Sequence, residues 1–251
     1  MRKTKLYLLL AIISFSSISC NKINKEDLVY ILSRSIEDNQ YSNDSVFYND
    51  QTNELVVSTT ILNISQVERS ALIDLFSYKE HARVKCKIAI SDAVKEKKEL
   101  FQKANIPIRR IFVFEDGLEL ENDLFYTNEY TQITSVKEQL IATEYSIIEQ
   151  VISTKHNLPI PLEDGAQMEN IDYNNNPSNI IYTIELENHY ADSFDNYTIQ
   201  KYAERVMDLA FHILQKNYSD YLQWYVKLGL NMTVMIYDKR GNELCSITEK
   251  V

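Results

Sequence analysis

The feature that most limits what this chain can become is its internal self-similarity. Tyr48-Asn49-Asp50-Gln51-Thr52-Asn53-Glu54-Leu55-Val56-Val57-Ser58 is echoed by Tyr173-Asn174-Asn175-Asn176-Pro177-Ser178-Asn179-Ile180-Ile181-Tyr182-Thr183 at an offset of 125. Both stretches pass through an Asn/Asp-rich turn into β-branched and aromatic residues, which predicts a hairpin in each. An amphipathic helix precedes each copy. Over 24–40 its apolar face is Leu28, Ile31, Leu32 and Ile36; over 135–155 it is Leu140, Ile141, Tyr145, Ile148, Val151 and Ile152. Both sets recur at helical spacing. Ser135 with Glu138, and Ser65 with Glu68, predict capping boxes, in which two side chains satisfy free amides at a helix start.

Two further helical stretches follow each hairpin. In the first half they are the run around Ala71–Phe76 and residues 92–104. In the second they are a longer helix from Thr198, with Tyr202, Ala203, Val206, Met207, Ala210, Ile213 and Leu214 on one face, and residues 218–228. Each half closes on a second hairpin: 110–125 turning at Gly117, and 232–247 turning at Gly241. Glycine adopts the positive φ of a tight turn without steric cost. The chain therefore reads twice as helix, hairpin, two helices, hairpin. This predicts an α+β protein of two tandem repeats, 25–131 and 132–251, each an antiparallel sheet covered by amphipathic helices.

Composition then removes function classes. With four glycines in 251 residues, none close together, there is no dinucleotide fingerprint, phosphate loop or nucleophile elbow. Three cysteines without a C-x-x-C spacing exclude a cysteine-rich zinc module and a thioredoxin-type site. The four histidines, His81, His156, His189 and His212, form no H-E-x-x-H. No metal site and no cofactor are expected.

The N-terminus has its own pattern. Arg2, Lys3 and Lys5 precede an apolar run from Leu6 to Ile13, and small residues lead to Ser17-Ile18-Ser19-Cys20. A basic start, short apolar core and small residue before a cut is the layout of a secretory signal. Ser17-Ile18-Ser19-Cys20 resembles the lipobox of bacterial lipoproteins, with Ser17 where that family usually has leucine. The resemblance implies a signal peptide over 1–19, cleavage before Cys20, acylation of its sulfur by chains such as palmitate, and a lipidated tether over 20–24. A plain cleaved signal is the other reading. By the same resemblance, Asn21 is not the aspartate that retains enteric lipoproteins at the inner membrane, which implies the outer membrane, on its periplasmic or its external side.

Removing Arg2, Lys3 and Lys5 leaves 23 basic against 36 acidic residues, a formal charge of −13. Phosphate binding needs a basic surface, so nucleic acid is not an expected partner. Contact with anionic lipid is expected through the anchor only. A basic protein would be steered inward. In an oxidising compartment Cys86 and Cys245 could be bridged or stand as two separate thiols, and spacing does not choose between them.

One difference between the halves points to a surface. The offset grows from 125 to 134 between the second strand and the helix after it, so the second half gains nine residues around His189-Tyr190-Ala191-Asp192-Ser193-Phe194-Asp195-Asn196-Tyr197. Inserted loops on a scaffold often carry binding. His189, Tyr190, Asp192, Phe194, Asp195 and Tyr197 are thus the candidate partner-binding residues, expected on a solvated loop. Glu115, Asp116, Glu119, Glu121 and Asp123 surround the first late hairpin; alternation with Leu118 and Leu120 is what a half-exposed strand shows. No catalytic residue is assigned.

These readings lead to a non-catalytic envelope lipoprotein that binds a protein, as an assembly component or an immunity-type inhibitor. Two alternatives stand beside it: a hydrolase of envelope polymers using carboxylates, and a glycan- or small-ligand-binding lipoprotein using its many tyrosines.

Overall fold

The computed structural model describes residues 23–34, 42–163, 165–217 and 222–251. The expected signal, Cys20 and most of the tether, the end of the first expected helix (35–41) and residues 218–221 lie outside the described residues. In chain order the elements are α1 (Lys25–Ser33), β1 (Ser42–Asn49), β2 (Glu54–Ile61), α2 (Gln66–Phe76), α3 (Lys79–Val94) and a 3-10 turn (Lys95–Lys97). They continue as α4 (Lys98–Ala104), β3 (Ile108–Phe114), β4 (Glu119–Phe125), α5 (Thr127–Tyr130), α6 (Val136–Lys155) and β5 (Ile160–Pro161). The last are β6 (Ala166–Asn175), β7 (Ser178–Leu186), α7 (Asn188–Ser193), α8 (Asn196–Asn217), α9 (Leu222–Leu228), β8 (Asn231–Asp238) and β9 (Glu243–Lys250).

The chain is mixed α+β with two sheets, in the orders β1-β2-β3-β4 and β5-β6-β7-β8-β9. It divides into two compact units. The first takes the chain through Thr60 and again over Ile90–Gln132; the second takes Ile61–Ala89 and Ile133–Val251.

In the first unit the Leu55 amide donates to the Pro107 carbonyl (3.0 Å). The starts of β2 and β3 therefore lie side by side, and the two strands run the same way. β3 and β4 are antiparallel, with Ile108 opposite Phe125. Leu28, Leu55, Phe101, Ile108 and Phe125 are fully buried, each contributing about 2 kcal/mol of transfer free energy. Tyr130 packs edge-on against Phe101 and donates its hydroxyl to the Ile106 carbonyl (2.7 Å).

In the second unit β6 and β7 are antiparallel, β7 and β8 parallel, and β8 and β9 antiparallel. Burial alternates along β7: Ile180, Tyr182, Ile184 and Leu186 are buried, and their register partners Met232, Val234 and Ile236 on β8 are buried with them. Side chains two apart share a sheet face, so one face is a continuous apolar layer. Ile199, Tyr202, Ala203, Met207, Ala210 and Leu214 of α8, with Ile147 and Val151 of α6, belong to the same core. A second side of α6 presents Tyr145 and Ile148 to Leu75 of α2 and Ala82 of α3.

Two expectations are corrected, and one helix is added. The sheets are mixed, not antiparallel throughout: the helices between β7 and β8 provide the long crossover that a parallel pair requires. Residues 79–94 are one helix, missed because Val84-Lys85-Cys86-Lys87-Ile88 alternates like a strand. The nine-residue gain is not a plain loop, since Asn188–Ser193 forms α7 and α8 begins at Asn196.

Candidate partner-binding surface

β7 and β8 run parallel, so the chain leaves both at the same end of the sheet. From β7 it continues through Glu187 into α7; from β8 it turns back through Asp238-Lys239-Arg240-Gly241-Asn242 into β9. Connections at the carboxyl ends of parallel strands are the customary place for a site.

Asp238 anchors that turn. Only 2% exposed, it accepts hydrogen bonds from the Arg240 amide (2.9 Å), Arg240 Nε (2.8 Å), the Asn242 amide (2.8 Å) and Asn242 Nδ2 (2.9 Å). The Asn242 side chain first, then the Asn242 amide and the Arg240 guanidinium, hold its carboxyl well below the usual carboxylate range. Gly241, at φ +83°, takes the left-handed step the turn needs. Arg240 spans from Asp238 to the β7–α8 connection, donating from its second terminal nitrogen to Asp192 Oδ1 (2.6 Å). Lys239 approaches Glu187 at 3.8 Å.

Asp192 is thus tied to the β8–β9 turn. Phe194 packs against the apolar core. Asp195 caps α8: its Oδ1 accepts from the Thr198 amide (2.8 Å) and hydroxyl (2.6 Å), which lowers its carboxyl from the ordinary value. Tyr197 is 68% exposed, and the Lys201 ammonium sits 5.8 Å from its ring centre. His189 and Tyr190 lie on α7, and their side chains are outside the described residues. Of the candidate residues whose side chains are described, Asp192, Phe194 and Asp195 carry structural duties, and Tyr197 is exposed. The cap at Asp195 was legible as Asp-x-x-Thr; the Arg240 tie, spanning 48 residues, was not.

Two carboxylates of the β3–β4 hairpin make local hydrogen bonds. Asp116 accepts from the Leu118 amide (3.2 Å), and Glu119 accepts from Asn122 Nδ2 (3.0 Å). Asn122 Oδ1 in turn accepts from Arg109 (2.9 Å), which also grips Glu54 in two bonds of 2.7 and 3.0 Å.

A polar chain in the second unit was missed by sequence reasoning. Glu144 of α6 contacts His81 Nε2 of α3 (3.1 Å) through one oxygen and accepts from the Tyr173 hydroxyl of β6 (2.9 Å) through the other. Tyr173 also reaches Ser178 Oγ (3.3 Å), and burial pushes its phenol well above the usual range. Its members are 63, 29 and 5 residues apart, so no local pattern announces them. It ties α3, α6 and the β6–β7 hairpin together. His156 Nε2 to Asp74 (3.3 Å) repeats the device between α6 and α2.

Among the described residues no three His, Cys, Asp or Glu side chains group as metal ligands, and no helix is long and apolar enough to cross a membrane. Cys86 and Cys245 are not joined in a disulfide. No family model, curated protein or solved structure matches the chain.

Proposed function

We propose that this chain is a non-catalytic lipoprotein of the bacterial envelope, held by acyl chains on Cys20 at the outer membrane, that works by binding another protein. The observation that carries the reading is the surface at the carboxyl ends of β7 and β8. There Glu187, Asp192, Lys239 and Arg240 form an ion-paired frame, and Tyr197, in the first turn of α8, is exposed. An aromatic side chain with few torsions, set among fixed charges, is a common anchor of protein interfaces. The lipobox-like Ser17-Ile18-Ser19-Cys20 supports the anchor, and the formal charge of −13 favours a basic partner.

The same reading takes the two sheets as copies of one unit. In support, each sheet joins two hairpins through a pair of strands running the same way. Each closing hairpin carries one extra residue at a matching place, Leu120 in β4 and Leu244 in β9, offset by 124.

The chain should be purified from detergent-solubilised envelope and its retained proteins identified. We expect one roughly stoichiometric protein in physiological salt. Tyr197→Ala should weaken that complex about tenfold while leaving the thermal midpoint unmoved. Retention of nothing beyond background would overturn the reading; equal affinity of the Tyr197→Ala variant would move the site elsewhere on the molecule.

A further inference from the structure

β9 ends the five-stranded sheet. β8 pairs one side of it, and no described strand pairs the other. The Val251 amide donates to the Leu230 carbonyl (3.0 Å). Amides alternate in direction along an antiparallel ladder, and the register is regular from Cys245 to Lys250. Cys245, Ile247 and Glu249 therefore aim their backbone groups at β8, while Ser246, Thr248 and Lys250 aim theirs outward, and those three residues are exposed.

An open row of N–H and C=O groups is a template for another strand, and folded proteins normally blunt it. The other sheet ends are blunted. β5 is two residues long and contains Pro161; β4 has acids at Glu119, Glu121 and Asp123; β1 lies against α1. β9 has neither proline nor glycine, and Leu244–Thr248 carries no charge. Its flanks define what fits. Cys245, Ile247 and Glu249 alternate onto one side; the extra residue Leu244 turns Glu243 to the other, beside Tyr237, and the charges of Glu243 and of Glu204 of α8 still act on the Cys245 thiol. A residue opposite Ile247 meets an apolar side chain, and residues two away on either side meet negative charge.

We propose that β9 receives an extended, basic segment of the partner protein as a sixth strand of its sheet. The proposal rests on the protein-binding reading above and names how the partner engages. Backbone hydrogen bonds hold the segment, and alternate lysine or arginine side chains answer Glu249 on one side of Ile247 and the charge near Cys245 on the other.

The test is amide exchange, followed by NMR, on the full chain in detergent. The probe is the peptide Thr-Lys-Thr-Val-Thr-Lys-Thr, which reads the same in both directions and so serves a parallel or an antiparallel addition. Without it, the Ser246, Thr248 and Lys250 amides should exchange quickly and those of Ile247 and Glu249 slowly. Saturating peptide should slow the outward three by at least about tenfold, and the counterpart with glutamate for lysine should not. Thr248→Pro removes an outward amide; it should abolish the slowing, while protected Ile247 and Glu249 amides report an intact sheet. No slowing, equal slowing by the acidic peptide, or slowing that survives Thr248→Pro would each overturn the proposal. Self-association abolished by Thr248→Pro would assign the edge to a second copy and overturn it too. If the captured partner binds the Thr248→Pro chain as well as the parent, the edge proposal falls and the protein-binding reading stands; if neither chain captures a partner, both fall.

Discussion

Glu54 opens β2 with its side chain only 9% exposed, and Arg109 of β3 grips it through two nitrogens. A carboxylate taken out of water is tolerated only when its charge is answered. The Arg109 hydrogen bonds hold the Glu54 carboxyl below its ordinary value, against the opposing effect of burial. A depressed carboxyl contributes stability that is present above the unfolded value near 4.5 and fades as pH falls through the folded value. Glu54→Gln should therefore cost roughly 2–3 kcal/mol at neutral pH, below the fully buried range because Arg109 reaches solvent. Its deficit against the parent chain should shrink below about pH 4. Urea titrations at both pH values would show this, and a pH-independent deficit would refute it. Tyr182 is the opposite case. Burial pushes its phenol from 10.0 up to about 12. A raised acid keeps its full contribution below the unfolded value and loses it as pH rises between the two, so stability should fall from about pH 10 towards 12. Tyr182→Phe should flatten that decline in a thermal-midpoint series; an unchanged slope would place the alkaline lability elsewhere.

Among the elements, the helices with strong local signals formed where the sequence placed them. Both capping boxes are present, at Ser65 with Glu68 and at Ser135 with Glu138. Ser135→Ala should cost about 1 kcal/mol of stability by freeing the Glu138 amide, measurable by chemical denaturation; no measurable loss would show that the packing of α6 makes the cap redundant. The apolar stripe of α8 is buried as its spacing demanded, although Ile213 on its margin remains largely exposed. α3 escaped notice for a physical reason. Beside its buried Ala82, Ile90 and Val94, it carries polar side chains whose partners lie on α6: His81 to Glu144, Lys85 to Glu149 and Lys87 to Glu138. Such pairs are written far apart in the chain and leave no period. α7 is six residues long, too short for periodicity to distinguish it from a loop.

For the whole molecule, the proposed anchor and the acidic charge both come from composition and order, and the anchor yields a direct expectation. Cys20→Ser should abolish incorporation of labelled palmitate and release the chain from the membrane fraction; retention in that fraction would end the lipoprotein reading. Both late hairpins, with Gly117 and Gly241 at positive φ, and the two capping boxes were determined by the sequence alone, because each depends on residues within a turn or two of one another. Tertiary structure decided the rest. It made β7 and β8 parallel, grouped Ile61–Ala89 with the second unit, tied Asp192 to Arg240, and left the outer side of β9 unpaired by any described strand. Those outcomes depend on which distant surfaces bury one another and which buried charges find partners, and neither is encoded in the spacing of neighbouring residues.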